Sequence, residues 1–247
     1  MLELKSLKKS YGALCVTDNL SVAVAQGELR AIIGPNGAGK TSLIAQIAGE
    51  LRSDSGIILF GGRDITRETA AKRCVSGISR TYQISSLFKT LSVFDNVRIA
   101  VQAHKGHSYR FLRDSSREEE LIQPAIVAID KVGLGNKLHE RVGSLSHGDQ
   151  RRLEIAMALA ASPQILLLDE PTAGMGAEDS AQIAKLIAQL KGRMSIILIE
   201  HDMSTVFALA DTITVLVRGR ELVTGTPQDV RSNAEVKASY LGDSVDA

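Results

Sequence analysis

The 247-residue sequence has almost no net charge, very little cysteine and no long apolar run. Its 29 basic and 28 acidic residues nearly cancel. The chain as a whole lacks the positive field that draws proteins to nucleic-acid phosphates, so no DNA or RNA partner is expected. The two cysteines, Cys15 and Cys74, are too far apart in the sequence for a metal-binding pair. Their scarcity excludes a disulfide scaffold, and they are expected to be reduced, buried thiols.

The apolar stretches are short as well. Residues 155–161 form one of the longest, and it falls far below the ~18 apolar residues that a membrane-crossing helix requires. The first residues, MLELKSLKKSYG, have neither the apolar core nor the small-residue cleavage site of a secretory signal. Internal repeats and long heptad segments are also missing. We therefore expect a cytosolic chain without a transmembrane segment or signal peptide.

The remaining composition, 44% hydrophobic and 23% charged, is that of an ordinary globular protein. Apolar residues alternate with polar ones over residues 2–7 and 22–24, which predicts a small antiparallel β region. The mostly apolar run 29–33 predicts a short buried strand that ends at Gly34. After Thr41 the apolar residues recur at helical spacing, so a strand, a glycine loop and a helix follow one another.

The second half of the chain alternates strands with helices. Apolar or mostly apolar runs at residues 165–168, 195–199 and 212–217 predict strands, and residues 178–190 have a helical pattern. Such alternation is typical of a parallel sheet. Residues 84–161 are more polar and mostly helical in pattern, which predicts a helical insertion.

One motif carries a specific chemistry. GPNGAGKT, residues 34–41, matches G-x-x-x-x-G-K-[ST] between a predicted strand and a predicted helix, the context expected of a phosphate-binding loop. Its backbone N–H groups bind phosphates, Lys40 reaches the β- and γ-phosphates, and the Thr41 hydroxyl coordinates Mg²⁺. The alternative, a glycine turn with an exposed lysine, does not explain this context. The predicted nucleotide-binding residues are Gly34, Pro35, Asn36, Gly37, Ala38, Gly39, Lys40, Thr41 and Ser42.

Two carboxylates follow the apolar run ILLL. Asp169 and Glu170 stand at the carboxyl end of a predicted parallel strand, where open α/β sheets bind their ligands. We assign Asp169 to Mg²⁺ through a water, and Glu170 to general base catalysis on the attacking water. Alone, such a pair is more often a solvated strand end. The phosphate-binding motif favours the catalytic interpretation.

A resemblance covers essentially the whole chain. LSHGDQRRLEIAMAL, residues 145–159, resembles the signature segment of ABC transporter ATPases. In that family two subunits pack head to tail, and the signature segment of each closes over the nucleotide of the other. The resemblance implies that Ser146 and the backbone of Gly148 contact the γ-phosphate of a nucleotide bound to the partner.

Three further residues resemble family elements. Tyr11, in KKSYG, resembles the aromatic residue that stacks on adenine. Gln83, in SRTYQ, resembles the glutamine that senses Mg²⁺ and the attacking water and relays the nucleotide state to the membrane subunit. His201, in LIEHD, resembles the switch histidine that contacts the γ-phosphate. The catalytic residues predicted from the motifs and the resemblance are Glu170, His201, Gln83 and Lys40, and the metal-binding residues are Thr41, Gln83 and Asp169.

Two positions depart from the family pattern. Asp149 stands where the signature usually has glutamine, and Gly176 where the loop after the catalytic glutamate usually has aspartate. A carboxylate near a triphosphate weakens binding unless it is protonated, paired or turned outward. The contact that this chain makes with its partner's nucleotide is therefore expected to be weaker than its own phosphate-binding loop.

The resemblance implies an α/β fold: a P-loop NTPase core with a mostly parallel sheet, an N-terminal antiparallel β region and a helical subdomain. We expect a single ABC ATPase domain spanning residues 1–247. Residues 1–83 and 162–247 are its predicted catalytic core, and residues 84–161 its predicted signature subdomain.

RTYQ, HSYRFLRD, LLDEPTAGM, IEHDM and the ending GTPQDVRSNAEVKASYLGD are similar to ATPase subunits of branched-chain and hydrophobic amino-acid importers. This resemblance implies ATP and Mg²⁺ as cofactors, permease subunits, a second ATPase subunit that is a paralogue or a second copy, and an extracytoplasmic solute-binding protein. It also implies a peripheral location at the cytoplasmic face of the inner membrane. Importers of urea or short amides and lipopolysaccharide exporters remain alternatives.

Other classes fit less well. A soluble ABC module acting on nucleic acid conflicts with the balanced charge, and a noncatalytic nucleotide binder with the presence of Glu170 and His201. P-loop kinases and GTPases do not explain LSHGDQ. Residues 83–96 offer Leu87, Phe88, Leu91 and Phe94 as a predicted contact with the permease, with Leu87 or Phe88 seating a helix of the channel.

Overall fold

The computed structural model describes residues 1–81, 87–105 and 119–238. Ten strands are described: β1 Leu2–Tyr11, β2 Leu14–Val24, β3 Leu29–Ile33, β4 Ser55–Phe60, β5 Arg63–Asp64, β6 Ile78–Arg80, β7 Ile165–Asp169, β8 Ser195–Ile199, β9 Thr212–Val217 and β10 Arg220–Gly225. The described helices are α1 Lys40–Ala48, α2 Ala70–Val75, α3 Val93–Lys105, α4 Glu119–Lys131, α5 His147–Leu159, α6 Ala177–Leu190, α7 Met203–Leu209, α8 Pro227–Ser232 and α9 Ala234–Val236, with short 3-10 helices at Gly135–Lys137 and Val142–Ser144.

The strands form two sheets. The N-terminal sheet has the order β2-β1-β4-β5 and is antiparallel, as predicted from residues 2–24. The larger sheet has the order β10-β9-β3-β8-β7-β6. Its inner neighbours pair in parallel, and only the β9–β10 pair is antiparallel. This mixed α/β architecture confirms the predicted fold class.

The central strands of the larger sheet are buried on both faces because their alternate residues enter different cores. Ile32 and Leu167 pack with α1 and the antiparallel sheet. Ile33 and Leu168, the next residue along each strand, pack with the helices on the opposite face. A strand buried on both sides is nearly all apolar, which explains why apolar residues are not interrupted by regular polar alternation in these runs of the sequence.

Between residues 84 and 161 the described residues form α3, α4, α5 and the two 3-10 helices. The division of the chain into a catalytic core and a signature subdomain stays a prediction. Gln83 and the whole of HSYRFLRD fall outside the described residues. Cys15 and Cys74 are free cysteines, as predicted, but half-buried instead of buried. Over the described ranges, no helix is both long and apolar enough to cross a membrane.

Topology sets the position of the site. Strands β3, β8 and β7 are neighbours in the larger sheet and run in the same direction. Residues that directly follow these strands therefore meet at one edge. The phosphate loop, residues 34–42, follows β3, the segment around His201 follows β8, and Glu170 follows β7.

Candidate functional site

The phosphate loop is clamped between the backbones of two strands. Gly39 has φ 99°, in the left-handed region that glycine adopts without strain. A Cβ at Gly39 would lie 2.0 Å from the carbonyl oxygen of Val16 in β2, and one at Gly34 would lie 2.1 Å from that of Leu216 in β9. Only glycine fits at these two positions. At Gly37, by contrast, a Cβ would meet no protein atom within 4 Å, so the loop is open on that side.

Lys40 lies at the start of α1 with its side chain turned back onto the loop. Its Nζ donates to the carbonyl oxygen of Gly34 at 2.7 Å and to that of Pro35 at 3.1 Å. Burial lowers the pKa of Lys40, and the carboxylates of Glu170 and Asp169 oppose that shift. The ammonium group and both predicted carboxylates thus share one site. Beside them, Thr41 is exposed and Ser42 half-buried.

Asp169, the last residue of β7, is completely buried. Its Oδ2 accepts from Arg80 Nη2 at 3.0 Å, whereas Oδ1 is buried without a partner among the residues that the structure describes. Burial raises the pKa of Asp169. The Arg80 guanidinium opposes this rise, and the negative charge of Glu170 adds to it.

The orphaned oxygen of Asp169 fits a Mg²⁺ site. In the described part of the chain, no group of three or more His, Cys, Asp or Glu residues could hold a metal ion. Magnesium does not need such a cage, because it commonly binds through one or two carboxylates plus the phosphates of a nucleotide. Asp169 and the Thr41 hydroxyl therefore suit a nucleotide-bound magnesium ion.

Glu170 and His201 lie in direct contact. Glu170 follows β7 with φ 49°, and its N–H donates to the carbonyl oxygen of Ile199 at 2.9 Å, so the ladder to β8 continues by one residue. Glu170 Oε1 lies 2.7 Å from His201 Nε2. A carboxylate and an imidazole at this distance can move or hold a proton. The structure thus brings together two predicted catalytic residues that are 31 positions apart in the sequence.

Two buried residues that were not predicted hold this edge of the sheet. Arg151 of α5 donates to the carbonyl oxygens of Asp169, Glu170 and Pro171 at 3.0–3.1 Å. Glu200 accepts from Thr172 through both its N–H and its hydroxyl, at 2.9 and 2.7 Å, and from the N–H of His201 at 3.1 Å. The sequence feature that could have identified Glu200 is its position, a carboxylate directly after an apolar strand.

The signature segment, residues 145–159, contains α5. Ser146 caps this helix, and its Oγ accepts from the N–H of Asp149 at 3.1 Å. A Cβ on Gly148 would lie 2.5 Å from Asp179 Oδ1 of α6. Glycine at this position therefore permits close approach of α6. Ser146 is exposed at the N-terminus of the helix, an end that favours anions.

Asp149 is paired with two cations of its own chain. Its Oδ2 accepts from Lys137 Nζ at 2.5 Å, and its Oδ1 accepts from Arg152 Nη2. Burial alone would raise the pKa of Asp149, but the Lys137 hydrogen bond and the two positive charges outweigh burial and hold it below its usual range. Pairing is one of the conditions under which a carboxylate is tolerated near a triphosphate.

This pairing predicts that Lys137→Met destabilises the protein only while residue 149 is an aspartate. Without Lys137, the buried Asp149 carboxylate keeps Arg152 alone, and an incompletely compensated buried charge is costly. We expect the melting temperature to fall by a few degrees and ATP turnover to fall with it. The double variant Asp149→Gln/Lys137→Met is expected to recover both quantities, measured by calorimetry and phosphate release. An equal loss in the single and double variants contradicts the pairing.

Sequence patterns also singled out Tyr11, Gly176 and Gln83. Tyr11 is 54% exposed, and Lys9 Nζ lies 5.4 Å from the centroid of its ring, so one ring face meets a cation in this conformation. Gly176 is the N-cap of α6 and supplies no side-chain cap, where an aspartate would provide one. Gln83, predicted to bind Mg²⁺, lies outside the described residues.

Comparisons with known proteins agree with this arrangement. A family model described as ABC transporter matches residues 17–173. The chain is 32% identical over 250 residues to the high-affinity branched-chain amino acid transport ATP-binding protein LivG of Salmonella typhimurium, and 33% identical to BraF of Pseudomonas aeruginosa, which has the same description; each alignment covers 98% of both chains. It is also 32% identical, with 98% coverage of both chains, to the lipopolysaccharide export system ATP-binding protein LptB of Haemophilus influenzae.

Among solved structures, the ADP conformation of MJ1267, an ATP-binding cassette of an ABC transporter, has 28% sequence identity and a TM-score of 0.87. The alignment covers 98% of this chain and 99% of that one. Both the sequence relatives and this structure match the chain over nearly its full length. The chain therefore belongs to the ABC transporter family and is one of its ATP-binding cassettes, the ATPase subunits of these transporters.

Proposed function

We propose that this cassette powers the import of branched-chain or other hydrophobic amino acids, by hydrolysing ATP bound between its phosphate loop and the signature segment of a second cassette. The contact between Glu170 Oε1 and His201 Nε2, 2.7 Å long and beside Lys40, is the observation that carries the hydrolytic part. The cargo is inferred from relatives whose names specify branched-chain amino acid transport.

In this proposal Glu170 is the general base. His201, with Nε2 protonated, donates to Glu170 Oε1 and fixes the orientation of the carboxylate. The carboxylate then accepts a proton from the attacking water. Lys40 supplies positive charge at the β- and γ-phosphates, and the phosphate loop directs backbone N–H groups toward them. Asp169, Thr41 and Gln83 would hold a magnesium ion, which when bound would supply positive charge to the phosphate oxygens.

In this proposal, ATP bound between the phosphate loop of one cassette and the signature segment of another drives the two cassettes to associate. The γ-phosphate is ligated by the phosphate loop of one cassette and by Ser146 and Gly148 of the other, so binding joins the two subunits. Hydrolysis removes that bridge, and the pair separates. The second cassette is a paralogue or another copy of this chain. Permease subunits at the inner membrane convert closure into transport, and an extracytoplasmic solute-binding protein delivers the cargo.

A groove supports the permease contact. A cavity of about 400 Å³ lies between α2, α3 and α5 and is lined mainly by small apolar residues. Its lining includes Cys74, Val75, Leu87, Ala100 and Met157. Val75 is largely exposed although it is apolar, which favours a partner there.

Phe88→Asp tests the permease contact at a position next to the groove. Phe88 follows the groove residue Leu87 and is 50% exposed, so a charge there is tolerated by the fold but conflicts with an apolar partner. Leu87, the other predicted contact, belongs to the hydrophobic core and is a poor choice for this test. We expect Phe88→Asp to reduce amino-acid uptake at least about tenfold, since one buried apolar contact is worth roughly 1.5–3 kcal/mol, while ATP hydrolysis by the purified chain is unchanged.

The matched control is Val127→Asp, where the valine is 49% exposed and belongs to α4, a helix that contributes no residue to the groove. This variant is expected to keep normal uptake. Equal uptake by Phe88→Asp and Val127→Asp contradicts the proposed contact.

The cargo is tested by uptake. Cells lacking this chain are expected to lose uptake of labelled leucine, isoleucine and valine, and the wild-type gene but not a Glu170→Gln version is expected to restore it. Labelled urea is measured in parallel. Loss of urea uptake with normal leucine uptake supports the urea alternative, and a defective outer membrane with normal leucine uptake supports lipopolysaccharide export.

A further inference from the structure

We propose that Arg151 is a positioning residue that couples the signature segment of this chain to its own catalytic loop, residues 169–172. The inference rests on the proposed function, in which α5 serves the partner's nucleotide and Glu170 serves the chain's own nucleotide. Through one guanidinium, the state of one nucleotide site controls the geometry of the other.

The Arg151 guanidinium binds three carbonyl oxygens of one short loop. The side chain is buried, and Nε donates to the carbonyl oxygen of Pro171 at 3.0 Å. Nη2 donates to the carbonyl oxygens of Asp169 at 3.1 Å and Glu170 at 3.0 Å. One rigid, planar donor thus holds three successive carbonyl groups. These charge-assisted bonds fix the backbone at the residue where φ is 49° and from which the proposed general base projects.

A second contact joins α5 to α6, the helix that follows the catalytic loop in the chain. Gly148 lies three residues before Arg151 on α5, and a Cβ on Gly148 would lie only 2.5 Å from Asp179 Oδ1 of α6. Asp179 follows the catalytic loop in the chain, beyond the turn that leads into α6. Helix α5 therefore contacts both ends of the connection between β7 and α6.

The catalytic loop is also anchored from the opposite side. Glu200, at the end of β8, accepts both the N–H and the hydroxyl of Thr172. A loop anchored on β8 and on α5 changes shape when α5 moves relative to the sheet. Ser146 and Gly148 lie at the end of α5 that is proposed to contact the partner's γ-phosphate, within about one and a half helical turns of Arg151. When Ser146 and Gly148 bind that phosphate, α5 moves, and Arg151 transmits the movement to the backbone of Glu170.

Arg151→Met and Glu154→Gln separate positioning from stability. Glu154 Oε2 accepts from Arg151 Nη1 at 2.6 Å, so Glu154→Gln removes the ion pair and retains the carbonyl bonds. Below the melting temperatures of both variants, we expect Arg151→Met to lower kcat by about tenfold to ~10²-fold, the effect of a small displacement of a catalytic group. The Kd for ATP is expected to stay unchanged, and Glu154→Gln to keep kcat within about twofold because the bonds to the loop remain.

Hydrogen–deuterium exchange provides a readout independent of turnover. Arg151→Met is expected to accelerate exchange in residues 169–173, and Glu154→Gln is not. Arg151→Lys, which retains the charge with fewer donors, is expected to give intermediate kcat and exchange, and it replaces the methionine variant if that variant does not fold.

The outcomes distinguish the two proposals. Wild-type kcat and wild-type exchange in folded Arg151→Met or Arg151→Lys protein overturn the positioning role. If the wild-type protein binds ATP but has no turnover, the proposed hydrolysis fails, while faster exchange in the Arg151 variants still supports the positioning role.

Discussion

Glu170→Gln is expected to lower kcat for ATP hydrolysis by ~10²–10⁴-fold, the usual contribution of a general base, while ATP affinity stays nearly constant. Glutamine has the same shape but cannot accept the proton of the attacking water. The structure predicts little loss of stability, because the Glu170 side chain is only half-buried and its described hydrogen-bond partner is His201. The backbone bond to Ile199 is unaffected by the substitution.

The measurement combines phosphate release, equilibrium binding of ATP and light scattering after size-exclusion chromatography. Glu178→Gln, an exposed carboxylate in the first turn of α6, is the matched control and is expected to retain normal turnover. With ATP and Mg²⁺, Glu170→Gln protein that dimerises forms a closed site from two copies of this chain. A variant that binds ATP but remains monomeric requires a paralogous partner. Turnover within about threefold of wild type, less than 1 kcal/mol of barrier, contradicts the role of Glu170.

Much of the fold could be predicted because its central strands are buried on both faces. The runs in β3, β8 and β9 are mostly apolar, and the structure gives the predicted bounds for all three. The phosphate loop was equally clear, since its glycines, Lys40 and flanking elements form one continuous segment. Such local signals do not depend on the rest of the chain.

The edges of the larger sheet were not predicted. Strand β6 has only three residues and pairs with β7 alone, so periodicity is too short to detect it. Strand β10 is half-exposed and forms a hairpin with β9. Both strands exist because a neighbouring strand supplies their hydrogen bonds, and that neighbour is a property of the folded chain.

The contacts that support the site could not be predicted from the sequence either. The bonds from Arg151 to the catalytic loop span 18 to 20 positions, and Glu200 is 28 positions from Thr172. Asp149 seemed a liability from its residue type, yet Lys137, twelve positions earlier, compensates its charge. Residue type identified the groups that carry charge, whereas folding determined which charges are paired.

Lys40→Met is expected to weaken ATP binding by roughly 10–10²-fold, since a hydrogen bond to a charged group contributes about 1.5–3 kcal/mol. The same change is expected to leave the melting temperature almost unaltered. Burial lowers the pKa of Lys40, so its positive charge is held at an energetic cost that methionine removes. Removing this cost stabilises the fold, but the carbonyl groups of Gly34 and Pro35 each lose a hydrogen-bond donor, which destabilises it. The two effects oppose each other, so the net change in stability is small.

The control for this prediction is Lys185→Met, which removes an exposed lysine from α6 and is expected to change neither property. ATP affinity is measured by isothermal titration calorimetry and stability by differential scanning calorimetry. Normal ATP affinity with a large fall in melting temperature contradicts the proposal, because Lys40 then serves mainly to stabilise the loop. Loss of affinity at constant stability shows the opposite: the loop folds without the ammonium group, and the protein retains a buried charge there because the nucleotide requires it.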